Sequence, residues 1–200
     1  MKKYGINEWF ESVYGEYPFS GVWMLFIRFA GCNQNCYFCD QDKSVNEVWT
    51  EEKLIDVVRK SEAVWVCLTG GEPLLQVDGE LLNELVRMGK NVVVETNGTL
   101  PFPKLEENYL GERVFISCSP KVWPVKLEVD LSKVNFKFLV GDGKEYWERW
   151  LYEEVSGIAG LQPVWDVSYQ RNLRTALEIV KRYPSRFVLS VQVHKYIGVK

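Results

Sequence analysis

Short apolar runs of strand length alternate along this chain with stretches whose apolar residues recur at helical spacing, and that order narrows the fold most. Val22 to Phe29 reads as a first strand. Glu51 to Lys60 reads as a helix. Thr50 can cap it, two glutamates suit its positive first turn, and Leu54, Ile55, Val57 and Val58 form one buried stripe. Ala63 to Leu68 is almost continuously apolar, as expected of a parallel strand covered on both faces. Leu81 to Met88 repeats the helix pattern, with Asp78 as cap and Gly89 as stop. Further strands are predicted at Asn91–Glu95, Arg113–Ser117, Val134–Val140, Ile158–Leu161 and Phe187–Val193. Helices fit around Tyr146–Glu153 and Asn172–Tyr183, and the Pro/Glu-rich Pro101–Gly111 stretch reads as a loose surface connection. Such β–α alternation predicts an α/β fold with a parallel sheet, either open or curled into a partial barrel.

The 200 residues are 46% hydrophobic, enough for a single compact domain over 1–200 with a sizeable core. Net charge is −3, and no block of Lys and Arg breaks the sequence. Direct nucleic-acid binding is therefore not expected, and a small-molecule substrate is. No apolar stretch approaches the length of a membrane span. Five cysteines make an odd number, and Met1-Lys2-Lys3 leads into polar sequence rather than an apolar leader, so a reduced, cytoplasmic setting is expected.

Three of those cysteines fall within eight residues, in the C-x3-C-x2-C run Cys32, Cys36 and Cys39. A ferredoxin-type 4Fe–4S site takes four thiolates, and a structural zinc site also takes four ligands. Three thiolates on a four-iron cluster leave one iron open for chemistry. The alternative is a zinc knot completed by Cys67, Cys118 or the only histidine, His194, although zinc loops more often arrive as two separated pairs. Cys67 and Cys118 lie in apolar runs and read as small core residues. Three further motifs follow predicted strands: Thr69-Gly70-Gly71-Glu72-Pro73, Glu95-Thr96-Asn97-Gly98 and Ser117-Cys118-Ser119-Pro120-Lys121. Each alone is an ordinary turn. Their recurrence at successive carboxyl ends marks the place where parallel sheets carry active sites.

The cysteine spacing after Gly31, with Gly-Gly-Glu-Pro downstream, resembles the signature of the radical S-adenosylmethionine superfamily. The resemblance sharpens to its 7-carboxy-7-deazaguanine synthase family. It is carried by Ile6 to Glu16, Gly21, Phe26-Ile27-Arg28, Gly31-Cys32-Asn33, Cys39-Asp40, Ser119-Pro120-Lys121, Leu161-Gln162-Pro163 and Ser190 to Tyr196. It implies a TIM-like partial (βα) barrel, with residues 1–21 as a substrate-side segment and 22–200 as the barrel core. It also implies ring contraction of 6-carboxy-5,6,7,8-tetrahydropterin to 7-carboxy-7-deazaguanine with loss of ammonia, an early step toward the 7-deazaguanine bases of tRNA. The open iron would bind S-adenosylmethionine, an electron would cleave its sulfonium, and the cofactor would be regenerated each turnover.

Carried over by motif, Cys32, Cys36 and Cys39 hold the cluster. Phe38, Gly71, Ser119, Pro120, Lys121 and Gln162 contact S-adenosylmethionine. Val13, Tyr14 and Gly15 line the pterin through their backbone, Thr69 bonds it, and Arg28 suits its carboxylate because a planar guanidinium pairs bidentately. His194 and the carboxylate of Lys200 are further substrate-side candidates. A flavodoxin- or ferredoxin-type electron donor and a homodimer are implied as well. Three positions depart from the family pattern: Tyr14 stands where glutamine is common, Tyr17 where glycine is, and Gln41 where a threonine helps bind Mg2+. Gln41 is the expected magnesium ligand here, with Asp42 or Ser44 as substitutes. Two rival readings share parts of the sequence: a radical enzyme that activates a partner protein, and an iron–sulfur carrier or sensor without catalysis.

Overall fold

The computed structural model describes residues 2–106, 109–141, 147–153 and 156–200. The chain runs through β1 (Lys3–Val13), β2 (Trp23–Phe29), β3 (Glu47–Thr50), α1 (Glu51–Lys60), β4 (Trp65–Gly70), α2 (Gly79–Arg87) and β5 (Asn91–Thr96). It continues as β6 (Val114–Cys118), β7 (Val134–Val140), α3 (Trp147–Tyr152), β8 (Ala159–Pro163), α4 (Tyr169–Arg182), β9 (Phe187–Leu189) and α5 (Val193–Ile197). One sheet collects the strands in the order β3-β1-β2-β4-β5-β6-β7-β8-β9. From β2 to β9 every pairing is parallel, while β1 runs antiparallel to both β2 and β3. The caps read from sequence form as expected: Thr50 accepts from Lys53 N at 3.2 Å and Asp78 from Leu81 N at 3.0 Å.

Strand periodicity splits the sheet into two faces. Leu25, Ile27 and Phe29 of β2, Val66 and Leu68 of β4, Val92 and Val94 of β5, and Val114, Ile116 and Cys118 of β6 point toward the helices. There they join Leu54 and Val58 of α1 and Leu81, Leu82 and Leu85 of α2 in the main core. The intervening residues Phe26, Cys67 and Val93 form a second apolar cluster on the other face, with Tyr14 and Phe115 against it. Register aligns them as one layer, since Phe26 sits opposite Cys67, Cys67 opposite Val93 and Val93 opposite Phe115.

The sheet does not close on itself; β3 and β9 are its edges. The segment after β1 spans the gap. Tyr17 N donates to Ser190 Oγ at 3.0 Å, the Tyr17 ring leaves no room for a side chain at Gly160 of β8, and Val193 N donates to Gly15 O at 2.9 Å. This is the curled, partial barrel that the resemblance implies, with its concave face roofed by its own amino- and carboxyl-terminal segments.

Four expectations are corrected. The eleven-residue β1 was not foreseen as a strand, because Asn7, Glu8 and Glu11 interrupt its apolar pattern. The four-residue β3 was not foreseen either. The last strand stops at Leu189, and Val193 starts a helix instead of ending the strand. Pro101–Gly111 is anchored at Phe102, which is 6% exposed and whose N–H donates to Leu127 O at 2.8 Å, while residues 107–108 of that stretch lie outside the described residues. The predicted helix start at Tyr146 lies outside the described residues.

Candidate functional site

Directly above the apolar layer, the same inward-facing register turns polar. Arg28 of β2 sits opposite Thr69 of β4, Thr69 Oγ1 donates to Glu95 of β5 at 2.7 Å, and Glu95 sits opposite Ser117 of β6. Four neighbouring strands thus exchange an apolar residue for a polar one at the same height. They form the floor of a cavity of about 250 Å3 at the carboxyl ends of the strands.

The loop after β2 supplies one wall. Cys32, Cys36 and Cys39 carry free thiols, are partly or fully exposed, and all line the cavity. Among the described residues, no three His, Cys, Asp or Glu side chains converge on one ion, the arrangement a zinc knot asks for. A four-iron cluster takes each thiolate at a separate corner, and three thiolates from one short loop bordering a cavity fit it. Burial pushes the Cys36 thiol up, and Lys121 works against that shift.

Glycine turns hold this loop to the sheet. Gly71 N donates to Phe29 O at 3.0 Å and Glu72 N to Gly31 O at 3.0 Å, while a Cβ at Gly71 would overlap the Gly31 carbonyl. Gly70 adopts φ 110°, a left-handed conformation open to glycine. The fully buried Glu72 then ties this turn to the next, accepting from Asn97 N at 2.7 Å, Thr96 Oγ1 at 2.9 Å and Leu74 N at 3.0 Å. Asn97 continues the chain of contacts to the cysteine loop by donating to Asn33 Oδ1 at 2.9 Å. The Ser119–Lys121 turn is docked on the same strand end, with Ser119 N to Thr96 O and Lys121 N to Asn97 O both 2.9 Å. Lys121 Nζ donates to Ser119 O at 2.8 Å and lies 5.5 Å from the centre of the Phe38 ring. Burial pulls its ammonium down, and the Cys36 and Cys118 sulfurs oppose that.

The far wall is an ion network. Lys137 of β7, 5% exposed, pairs with Glu16 and stands 3.3 Å from Glu95 Oε1. Glu16 also accepts from Gln162 Nε2 at 3.0 Å and Gln192 Nε2 at 2.8 Å. Tyr14 OH donates to Glu95 Oε1 at 2.6 Å. Burial alone would raise the Glu95 carboxyl, but the Lys137 charge and the bonds from Tyr14 and Thr69 hold it below the usual carboxylate range. Burial alone would also lower Lys137, yet its two carboxylate partners keep it charged. Burial lowers His194, against the pull of Glu16, and its Nδ1 fills the space beside Gly15 where a Cβ would stand.

Arg28 is held from three sides. Its Nε stands 3.0 Å from Glu8 Oε1 as an ion pair without hydrogen-bond alignment, its Nη1 donates to Gln41 Oε1, and it lies over the Phe10 ring at 5.4 Å. Gln41 therefore turns the oxygen expected for Mg2+ toward a guanidinium, while its Nε2 donates to Asp40 at 2.9 Å. The substitutes bond to each other, Ser44 Oγ to Asp42 Oδ2 at 2.7 Å and Ser44 N to Asp42 Oδ1 at 2.9 Å. As arranged, this donor set does not fit a magnesium ion, which asks for free oxygens in octahedral order.

Of the candidate site residues singled out from sequence, the cavity gathers all but Pro120 and the two magnesium substitutes Asp42 and Ser44. Tyr14 arrives differently from expectation: its N–H donates to Val22 O at 2.7 Å and its C=O accepts from Gly21 N at 2.8 Å. Its backbone is thus engaged by the turn, and its side chain meets the floor at Glu95. Lys200 is present through its main chain, where its carbonyl accepts from Ser12 Oγ at 2.7 Å, and through Nζ, 2.5 Å from Glu8. Sequence reasoning missed Glu16, Lys137 and the side chain of Glu95. Lys137 left a signal, as a cation in the middle of the apolar run Val134–Val140.

A three-thiolate loop at the mouth of a partial barrel, backed by a glycine turn and a buried polar floor, defines a radical S-adenosylmethionine enzyme, and residues 26–152 match the Radical SAM superfamily. Such an enzyme carries a 4Fe–4S cluster and S-adenosylmethionine. Over 199 residues the chain is 34% identical to 7-carboxy-7-deazaguanine synthase of Bacteroides thetaiotaomicron, covering 98% of each. It is 34% identical to the enzyme of that name from Methanospirillum hungatei, covering 97% of this chain and 85% of the relative. The crystal structure of QueE from Escherichia coli superimposes with a TM-score of 0.74 at 25% identity, covering 96% of this chain and 95% of that one. The chain belongs to the 7-carboxy-7-deazaguanine synthase family.

Proposed function

We propose that this chain converts 6-carboxy-5,6,7,8-tetrahydropterin to 7-carboxy-7-deazaguanine with release of ammonia. The observation that carries the reading is the polar row Arg28–Thr69–Glu95 on the cavity floor beside the three-thiolate loop. It offers a cation for a carboxylate and acceptors for the N–H groups of a flat heterocycle within one cavity. Cys32, Cys36 and Cys39 would hold the cluster, which would supply to S-adenosylmethionine the electron that starts radical chemistry. Phe38, Gly71, Ser119, Lys121 and Gln162 lie on the cavity wall and would seat that cofactor. Arg28 would take the substrate carboxylate on the guanidinium edge that Gln41 now occupies. No step is assigned to a divalent cation, because the Gln41 oxygen serves Arg28. Cys39 is exposed at the cavity mouth, which supports reduction by a flavodoxin- or ferredoxin-type donor.

The test is anaerobic reconstitution with iron, sulfide and S-adenosylmethionine, followed by measurement of 5′-deoxyadenosine with and without the pterin. Strong dependence on the pterin is expected. Formation that needs a partner protein instead would support an activating enzyme, and no cleavage at all an iron–sulfur carrier.

A further inference from the structure

We infer that the phenol of Tyr14 is a positioning residue for the substrate, fixing the Glu95 carboxylate on the cavity floor so that Glu95 can accept from an N–H of the bound heterocycle. The inference rests on the pterin reading above and adds to it a residue whose side chain had no assigned role.

The geometry separates Tyr14 from an ordinary core tyrosine. Its ring belongs to the apolar layer, stacked on Phe26 at 6.1 Å with 10° between planes and edge-on to Phe19 at 6.0 Å. Its hydroxyl passes out of that layer and meets Glu95 Oε1 at 2.6 Å and Ser117 Oγ at 3.3 Å. Lys137 shares the same carboxylate oxygen at 3.3 Å, and Thr69 takes Oε2 at 2.7 Å. Each carboxylate oxygen has two acceptor directions, so Oε1 is filled by Tyr14 and Lys137 and Oε2 keeps one. The Glu95 side chain is 25% exposed and lines the cavity, which makes that remaining direction the one a ligand can use. Charge-assisted bonds from fixed donors hold a carboxylate where rotamer freedom would otherwise blur it. The groups acting on Glu95 come from every side: Tyr14 from the segment after β1, Thr69 and Cys67 from β4, Lys137 from β7, and His194 from α5, with Glu16 acting on Tyr14 and Lys137 beside it. Removing the phenol strips one of the bonds that lower the Glu95 carboxyl, so its protonation moves toward neutral pH.

Tyr14→Phe keeps the ring and deletes the bond. The test titrates 6-carboxypterin, the oxidised form of the proposed substrate, into holoenzyme with S-adenosylmethionine, for wild type, Tyr14→Phe, Glu95→Gln and the double variant. Loss of a hydrogen bond to a charged group predicts affinity roughly ten- to a hundredfold weaker in Tyr14→Phe. It also predicts an acid limit of binding shifted to higher pH, with iron content unchanged. In the Glu95→Gln background the Tyr14 change should add almost nothing, because its effect runs through Glu95. Equal affinity and pH dependence in wild type and Tyr14→Phe, or effects that simply add in the double variant, would overturn the inference, as would a wild type that does not bind the pterin. A wild type that binds with the predicted coupling but does not turn the substrate over would overturn the assigned reaction and uphold the role of Tyr14.

Discussion

Five cysteines separate into two kinds by where their side chains sit. Cys32, Cys36 and Cys39 border the cavity, whereas Cys67 packs in the inner apolar layer and Cys118 in the helix-side core, each fully buried. Alanine at any of the first three should abolish 4Fe–4S reconstitution, read as iron per chain and the cluster's visible absorbance. Cys67→Ala and Cys118→Ala should keep the iron and lose only packing stability. Arg28 is the second residue whose removal separates binding from assembly. Arg28→Ala should raise the apparent substrate constant about thirty- to a thousandfold, or about 2–4 kcal/mol, with cluster content intact. At Gln41 the geometry predicts little difference between activity in chelator and in excess Mg2+. Gln41→Thr, which releases the guanidinium edge and offers a compact hydroxyl, should create a stimulation by Mg2+ in the same assay. The cysteine spacing and the strand-end motifs were legible in sequence because each lies within a few consecutive residues. The network of Glu16, Lys137 and Glu95 was not, because it joins β7 to β5 and to the segment after β1, and only the folded sheet makes them neighbours.

At the scale of elements, the parallel strands were readable because burial on both faces demands near-continuous apolar sequence. β1 escaped because it borders the cavity and meets solvent, so its pattern mixes Tyr4 and Ile6 with Glu8 and Glu11. What positions the cysteine loop is the contact between two turns, those after β2 and β4. Gly71 is indispensable there for space rather than for backbone conformation, since its missing Cβ is what lets the Gly31 carbonyl approach. Gly71→Ala should therefore cost about 1–3 kcal/mol in denaturant unfolding, as overpacking does elsewhere. It should also lower cluster retention, because the displaced partner is the residue before Cys32. Unchanged iron retention in Gly71→Ala would show that the turn does not set the loop.

For the whole molecule, one sheet serves two purposes through its two faces. The helix side gives the chain its large core, and the concave side holds an apolar layer beneath a polar floor. The terminal segments complete the enclosure: Glu16 and Gly15 from one, Gln192, His194 and Lys200 from the other, all reach the cavity. A cavity lined by both terminal segments suits a small flat substrate and offers it opposite charges to bind. The most direct measurement is therefore of product identity. Anaerobically reconstituted protein, given reductant, S-adenosylmethionine and 6-carboxytetrahydropterin, should yield a compound lighter than the pterin by one ammonia and matching 7-carboxy-7-deazaguanine in retention and fragmentation. S-adenosylmethionine should be regenerated rather than consumed in step with product. Pterin recovered intact, while the same preparation cleaves S-adenosylmethionine, would contradict the account.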